Sequence, residues 1–283
     1  MRARWLAWLT LMLFAGDGMA KPPVPPPHLE VPGKHFTLTE GSLFVPDFYR
    51  LPENKKADVV LFFLGASWCA EQNFYAAKKN GVIFTANEKT RKAVELKNVT
   101  GEQLLSSVLA ALNKEGIVAD GAGRICVASF SGGYSSVRSV LSATNFVDKI
   151  TDVVLADSLY APRAAHNTNE LDPAAMSPFL NYARRAAEGR GRFIFSQLFP
   201  PEEIYRSNTT TLAANYLIGH LQLERKPAHG KTSAGAEILY HADKNGLHIL
   251  GYAGMTTQDH FNHFYGISDL FKETSFENVP AKQ

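Results

Sequence analysis

Five short runs of uninterrupted apolar residues recur along this chain, with helix-length stretches between them. They are residues 59–64 (VVLFFL), 82–84 (VIF), 125–128 (ICVA), 153–156 (VVLA) and 193–195 (FIF). A strand with one wet face alternates apolar and polar residues. A strand that is apolar at every position has both faces covered. The pattern therefore predicts an α/β class: a mostly parallel central sheet with helices on both faces.

The intervening stretches carry helix signals. Thr100-Gly101-Glu102-Gln103 spells a capping box ahead of Leu104, Leu105, Val108, Leu109 and Leu112, which fall on one helical face. Asp172-Pro173 opens another helix, and residues 210–223 and 261–271 read as two more. Residues 36–45 predict an antiparallel start around Glu40-Gly41. Two later runs flank Asn245-Gly246, a hairpin turn. No Pro/Gly-rich linker divides residues 34–283, which read as one domain.

Arg2 and Arg4, then an 11-residue apolar stretch and the small residues Gly18 and Ala20, read as a signal peptide over residues 1–20. The stretch is shorter than the roughly 20 residues a membrane span needs, and no later segment is apolar enough to cross. The expectation is a periplasmic or secreted protein. Residues 21–33 hold Pro22, Pro23, Pro25, Pro26 and Pro27 and read as a stiff polyproline spacer.

The formal charge is only +2, with no basic stripe that would argue for nucleic acid. The two cysteines cannot staple a chain of 283 residues, so the core must hold it. Cys69 follows one strand and Cys126 lies early in another, so they are expected to be unpaired. No cofactor is called for.

One stretch carries chemistry. Residues 125–128 form a buried strand. A tight turn of small residues, Ser129-Phe130-Ser131-Gly132-Gly133, follows it, and then a helix through Val137, Val140 and Leu141. A nucleophile elbow needs this order. Its serine sits on a sharp turn, so the residues two before and two after must be small, and the hydroxyl projects at a helix N-terminus. The common spelling has Gly at the first small position; here it is Ser129.

With this elbow and Asp157-Ser158-Leu159-Tyr160 after the next strand, residues 41–271 resemble the α/β-hydrolase superfamily, in particular bacterial members with a Ser-Gly-Gly-Tyr elbow. The resemblance implies a mostly parallel sheet and the chain order Ser, acid, His. Ser131 is then the nucleophile and Asp157 the acid, with Glu202 or Glu203, one strand later, as the alternative. His260 is the base, in the loop before the last helix, with His263 as the alternative. Members often carry His-Gly after the strand that precedes the oxyanion loop; here Leu64-Gly65 stands there. The backbone N–H of Ala66 or Ser67, with that of Gly132, would form the oxyanion hole. Tyr134 and Tyr160 would line the pocket, with Glu71, Gln72 and Asn73 as further candidates.

Other readings of the same residues are weaker. Trp68-Cys69 looks like a thioredoxin approach, but Gln72 stands where the resolving cysteine belongs. His260 and His263 beside Asp259 have helix-face ligand spacing, but no third strong metal ligand is evident. The reading is an exported serine hydrolase acting through an acyl-enzyme on a small-molecule or peptide-like ester or amide. A binding protein on an inactive hydrolase scaffold is the alternative.

Overall fold

The computed structural model describes residues 22–86, 100–117, 120–164, 170–199 and 210–280. The leader reading and the alternative acids Glu202 and Glu203 lie outside them. Among the described residues ten strands form one sheet: β1 (Gly33–Thr37), β2 (Gly41–Pro46), β3 (Lys56–Phe63), β4 (Val82–Ala86), β5 (Gly121–Phe130), β6 (Asp152–Ala156), β7 (Arg192–Phe199), β8 (Lys226–Pro227), β9 (Ile238–Lys244) and β10 (Leu247–Ala253). Their order is β1-β2-β4-β3-β5-β6-β7-β10-β9-β8. From β4 to β10 all neighbours are parallel. Antiparallel pairs close both edges.

Helices α2 (Gly101–Lys114), α3 (Tyr134–Ser142), α4 (Pro173–Ala187) and α5 (Thr210–Leu221) cover one face. Helices α1 (Ser67–Ala77), α6 (Thr257–Tyr265) and α7 (Ser268–Lys272) cover the other. This is why the strands lack alternation. Val59, Leu61 and Phe63 face the first layer, and Val60 and Phe62 the second. Both sets are buried, each side chain contributing about 2 kcal/mol of transfer energy. The predicted mostly parallel sheet with helices on both faces is the observed one. Among the described residues no helix is long and apolar enough to cross a membrane.

Local signals act as expected at several ends. The Gln103 N–H donates to Thr100 Oγ1 at 3.2 Å and the Thr100 N–H to Gln103 Oε1 at 2.7 Å, completing the capping box of α2. Asn245 turns the β9–β10 hairpin at φ +51°. One expectation needs correcting. The helix read over residues 261–271 is two helices, α6 and α7, and the first begins at Thr257. Thr256 and Asp259 form a capping box that starts it early. His260 therefore sits inside the first turn of α6, not in the loop before it. The helical backbone holds it there, its N–H donating to Thr256 O at 3.1 Å.

Because β3, β5, β6, β7 and β10 are parallel, their C-terminal ends share one edge of the sheet. The turns at residues 64–66, 131–133, 157–160 and 254–260 gather there.

Candidate active site

Strand β5 ends at Phe130, still extended, and the chain then turns so sharply that Ser131 takes φ +52°. A non-glycine residue at such an angle costs about 1–3 kcal/mol, which the surrounding packing must supply. The turn is as crowded as the elbow argument requires. A Cβ on Gly133 would lie 2.4 Å from Phe63 O and 2.9 Å from Ser129 Cβ. The two small positions thus face each other beneath Ser131. Ser131 is 7% exposed, at the mouth of a short 3₁₀ turn leading into α3.

Asp157 follows β6 and also carries a positive φ, +42°. The Asp157 N–H donates to Ser196 O at 2.8 Å, tying the turn to β7. Its carboxylate is fully enclosed and receives three donors. His260 Nδ1 lies 2.5 Å from Oδ2, the Leu198 N–H donates to Oδ1 at 3.0 Å, and the Thr210 hydroxyl donates to Oδ1 as well. Burial alone would raise its pKa. The charge that His263 can carry, the His260 hydrogen bond and charge, and the Thr210 hydrogen bond outweigh burial and hold it down at about 2.

His260 is 3% exposed. Its Nδ1 faces Asp157, and its Nε2 is buried with no hydrogen-bond partner among the described residues. Its ring stacks on Phe130, the residue just before Ser131, with centroids 4.6 Å apart. The imidazole is therefore clamped between the Asp157 turn and the end of β5, with Nε2 unengaged among the described residues.

His263, the other histidine, points elsewhere. Its Nδ1 lies 2.8 Å from Ser196 Oγ, and its ring stacks on Tyr252. Burial pushes its pKa down to about 4, so it is neutral at pH 7.

The turn that carries Ala66 meets the turn that carries Gly132. After β3, Leu64 (φ +64°) and Gly65 (φ +148°) swing the chain into Ala66, the N-cap of α1. Gly65 must be glycine, since Phe264 packs 2.6 Å from where its Cβ would stand. Leu64 Cδ2 lies 3.5 Å from the corresponding point on Gly132, so the two turns touch. Tyr134 and Tyr160 are half-buried neighbours, ring centroids 5.4 Å apart. Burial and the Asp157 carboxylate push the Tyr160 phenol well above its ordinary pKa.

Two of the further pocket candidates have other work. Asn73 is buried and accepts from the Ser268 N–H at 3.0 Å, joining α1 to α7. Glu71 is buried and accepts from the Ser42 hydroxyl at 3.2 Å. Cys69 and Cys126 are both buried and unpaired.

Several residues of the site escaped the sequence reading. Ser129 Oγ and Ser158 Oγ are 2.7 Å apart, and the Ser158 hydroxyl donates to Ser131 O at 2.8 Å. This relay hangs the Ser131 carbonyl on the residue next to Asp157. Ser158 lies in the Asp-x-Leu-Tyr segment, but nothing in the spelling says which way it faces. Thr210, Ser196 and Phe130 carry no motif; only the folded sheet brings them to Asp157, His263 and His260.

No protein-family model and no curated protein matches the chain. Solved structures do. A lipase/esterase from Lactobacillus plantarum is 13% identical, over 69% of this chain and 85% of its own, with a TM-score of 0.34. An ester hydrolase from the metagenome of Lake Arreo is 12% identical, over 88% and 82%, at 0.43. A soluble variant of monoglyceride lipase from Saccharomyces cerevisiae is 10% identical, over 92% and 98%, at 0.38. These are distant likenesses in fold.

Proposed function

We propose that this chain is an exported serine hydrolase that cleaves an ester or amide through an acyl-enzyme, with Ser131, His260 and Asp157 as its triad. One observation carries the reading. A buried imidazole is bonded through Nδ1 to a buried, ionised carboxylate, stacked on the residue before a positive-φ serine, and left with its Nε2 unpaired. A base that orients on one nitrogen and accepts on the other needs this arrangement.

In this mechanism Ser131 Oγ attacks the acyl carbon while His260 Nε2 takes its proton. Asp157 keeps the imidazole in the Nδ1–H tautomer and stabilises the imidazolium. The oxyanion draws hydrogen bonds from the backbone N–H groups of Ala66 and Gly132. His260 then protonates the leaving group, and water, activated by the same nitrogen, releases the acyl group. Tyr134 and Tyr160 flank the acyl pocket. Export rests on residues 1–20, and the mature chain would begin at Lys21.

The test is hydrolysis of an activated acyl ester at neutral pH. Ser131→Ala is expected to fall to background. Asp157→Asn keeps size and shape but is expected to lose about 10⁴-fold in kcat, the cost of the same exchange in the best-studied serine protease triad. Glu202→Gln and Glu203→Gln should stay near wild type. Asp157→Asn within tenfold of wild type, with either Glu variant collapsing, would move the acid to the later segment.

A further inference from the structure

We propose that Trp68, Gln72 and Gln258 form a groove for an extended, proline-rich chain, and that residues 22–29 of this same chain fill it. So filled, the groove lies across the rim between the oxyanion turn and the helix bearing His260. Only the consequence for turnover rests on the serine-hydrolase reading.

Residues 22–29 form neither helix nor strand and contain five prolines. Proline has no N–H, so within this segment Val24, His28 and Leu29 are left among the donors. Two of those three are taken by glutamine side chains. The Val24 N–H donates to Gln258 Oε1 at 2.6 Å, and the Leu29 N–H donates to Gln72 Oε1 at 3.0 Å. Gln258 Nε2 answers with a long contact to Val24 O, 3.5 Å, and is oriented by Asn262 Oδ1 at 2.8 Å. Between these anchors the His28 ring lies against Trp68, centroids 4.7 Å apart, and Pro23 is buried.

The side chains say what kind of recognition this is. Val24 is 74% exposed and Leu29 58% exposed. The segment is not held by burying its large apolar groups. It is held by its backbone, one proline and one aromatic contact, which is how polyproline chains are read: the extended conformation is already paid for in entropy, and a groove supplies an aromatic wall and polar anchors. The segment also bridges more than it packs. A cavity of about 540 Å³ lies beside the end of the segment, with His28, Leu29, Trp68, His35 and Glu71 in its lining.

The anchors place it relative to the chemistry. Trp68 is two residues past Ala66, in the first turn of α1, and Gln258 is two residues before His260, in the first turn of α6. A chain spanning these two points runs from the helix that follows the Ala66 turn to the helix that carries His260, along the rim of the proposed site. Bulky acyl groups would meet it before small ones do.

The test alters the strap and leaves the site untouched. In the full chain, Val24→Pro with Leu29→Pro deletes both donated N–H groups and keeps the extended backbone. Val24→Ala with Leu29→Ala removes the side chains and keeps both bonds. All variants carry Trp5→Phe and Trp8→Phe, which leaves Trp68 as the sole indole. Loss of two ordinary hydrogen bonds lowers the docked-to-free ratio by about thirty-fold. The proline pair is expected to raise iodide quenching of Trp68 and to raise kcat/KM for p-nitrophenyl dodecanoate by about tenfold, with p-nitrophenyl acetate changed less than twofold. The alanine pair should match its parent. A synthetic peptide of residues 21–30 should reverse both effects.

Unchanged quenching and unchanged dodecanoate turnover in the proline pair would overturn the proposal. So would equal effects from the alanine pair. A rise in parent activity on dilution would overturn it too, because the occupant would then come from a second copy. If neither ester is turned over by any variant while quenching rises and the peptide reverses it, the groove stands and the hydrolase reading falls.

Discussion

Ser131 and Asp157 both sit at positive φ, and neither is glycine. Such residues persist only where neighbours over-determine them, and here the neighbours are hydroxyls. Ser158 holds the Ser131 carbonyl, Ser129 holds Ser158, and Thr210 holds the Asp157 carboxylate. Serine at the first small position, where glycine is common, thus has a reason: its hydroxyl reaches Ser158. Replacing Ser158 with alanine removes one buried hydrogen bond to the elbow, about 1 kcal/mol. The expected result is a fall in kcat of roughly five- to tenfold with KM little changed. The Ser129→Ala and Ser158→Ala effects should be non-additive, since one relay carries both. Strict additivity in a kinetic double-mutant cycle would deny the relay. The sequence order of Ser131, Asp157 and His260 singled out residues whose turns the fold gathers on one edge, with Asp157 bonded to His260. Ser158 and Thr210 were not singled out, because a hydroxyl's direction depends on turns that no pattern specifies.

Elements became legible to the degree that their signals are local. The capping boxes at Thr100 and Thr256 each start a helix, but only the first was read. The second was hidden because its N3 residue is Asp259, beside the histidines that drew a functional reading. That oversight misplaced His260 into a loop. The elbow is governed by contact between elements: β5 meets β3 so closely that position 133 has no room for a methyl group. Gly133 has an ordinary helical φ of −63°, so alanine there is strained by space alone. Gly133→Ala is expected to destabilise the fold by about 2 kcal/mol and to displace Ser131. Urea unfolding and ester turnover together check this. A variant with wild-type midpoint and activity would mean that β5 and β3 have slack the geometry denies.

Two buried groups on one edge couple the stability of the whole molecule to acid. His263 is neutral when folded, because burial holds its pKa near 4, whereas an unfolded histidine titrates near 6.5. The unfolded chain therefore takes up its proton first, and stability falls as pH drops from about 6.5 towards 4. At pH 5 the loss is about 2 kcal/mol relative to pH 7. Asp157 has the carboxylate case, with its pKa depressed to about 2. Its contribution is complete above about pH 4 and is lost as pH falls towards 2. Urea midpoints measured at pH 7 and pH 5 should differ in the wild type and converge in His263→Gln; equal slopes would show that His263 is not the group responsible. The mostly parallel class of the sheet was foreseeable from the unbroken apolar runs, but its strand order was not. The docking of residues 22–29 was not, since a proline-rich stretch specifies its own shape and not what it lies against. The central claim is that Ser131 is a nucleophile activated by His260. Incubation with a fluorophosphonate at pH 7, followed by peptide mass mapping, tests it most directly. The account predicts a single phosphonylated residue, Ser131, with labelling at least a hundredfold slower in His260→Ala. Labelling elsewhere, or none in a folded wild-type chain, would contradict it.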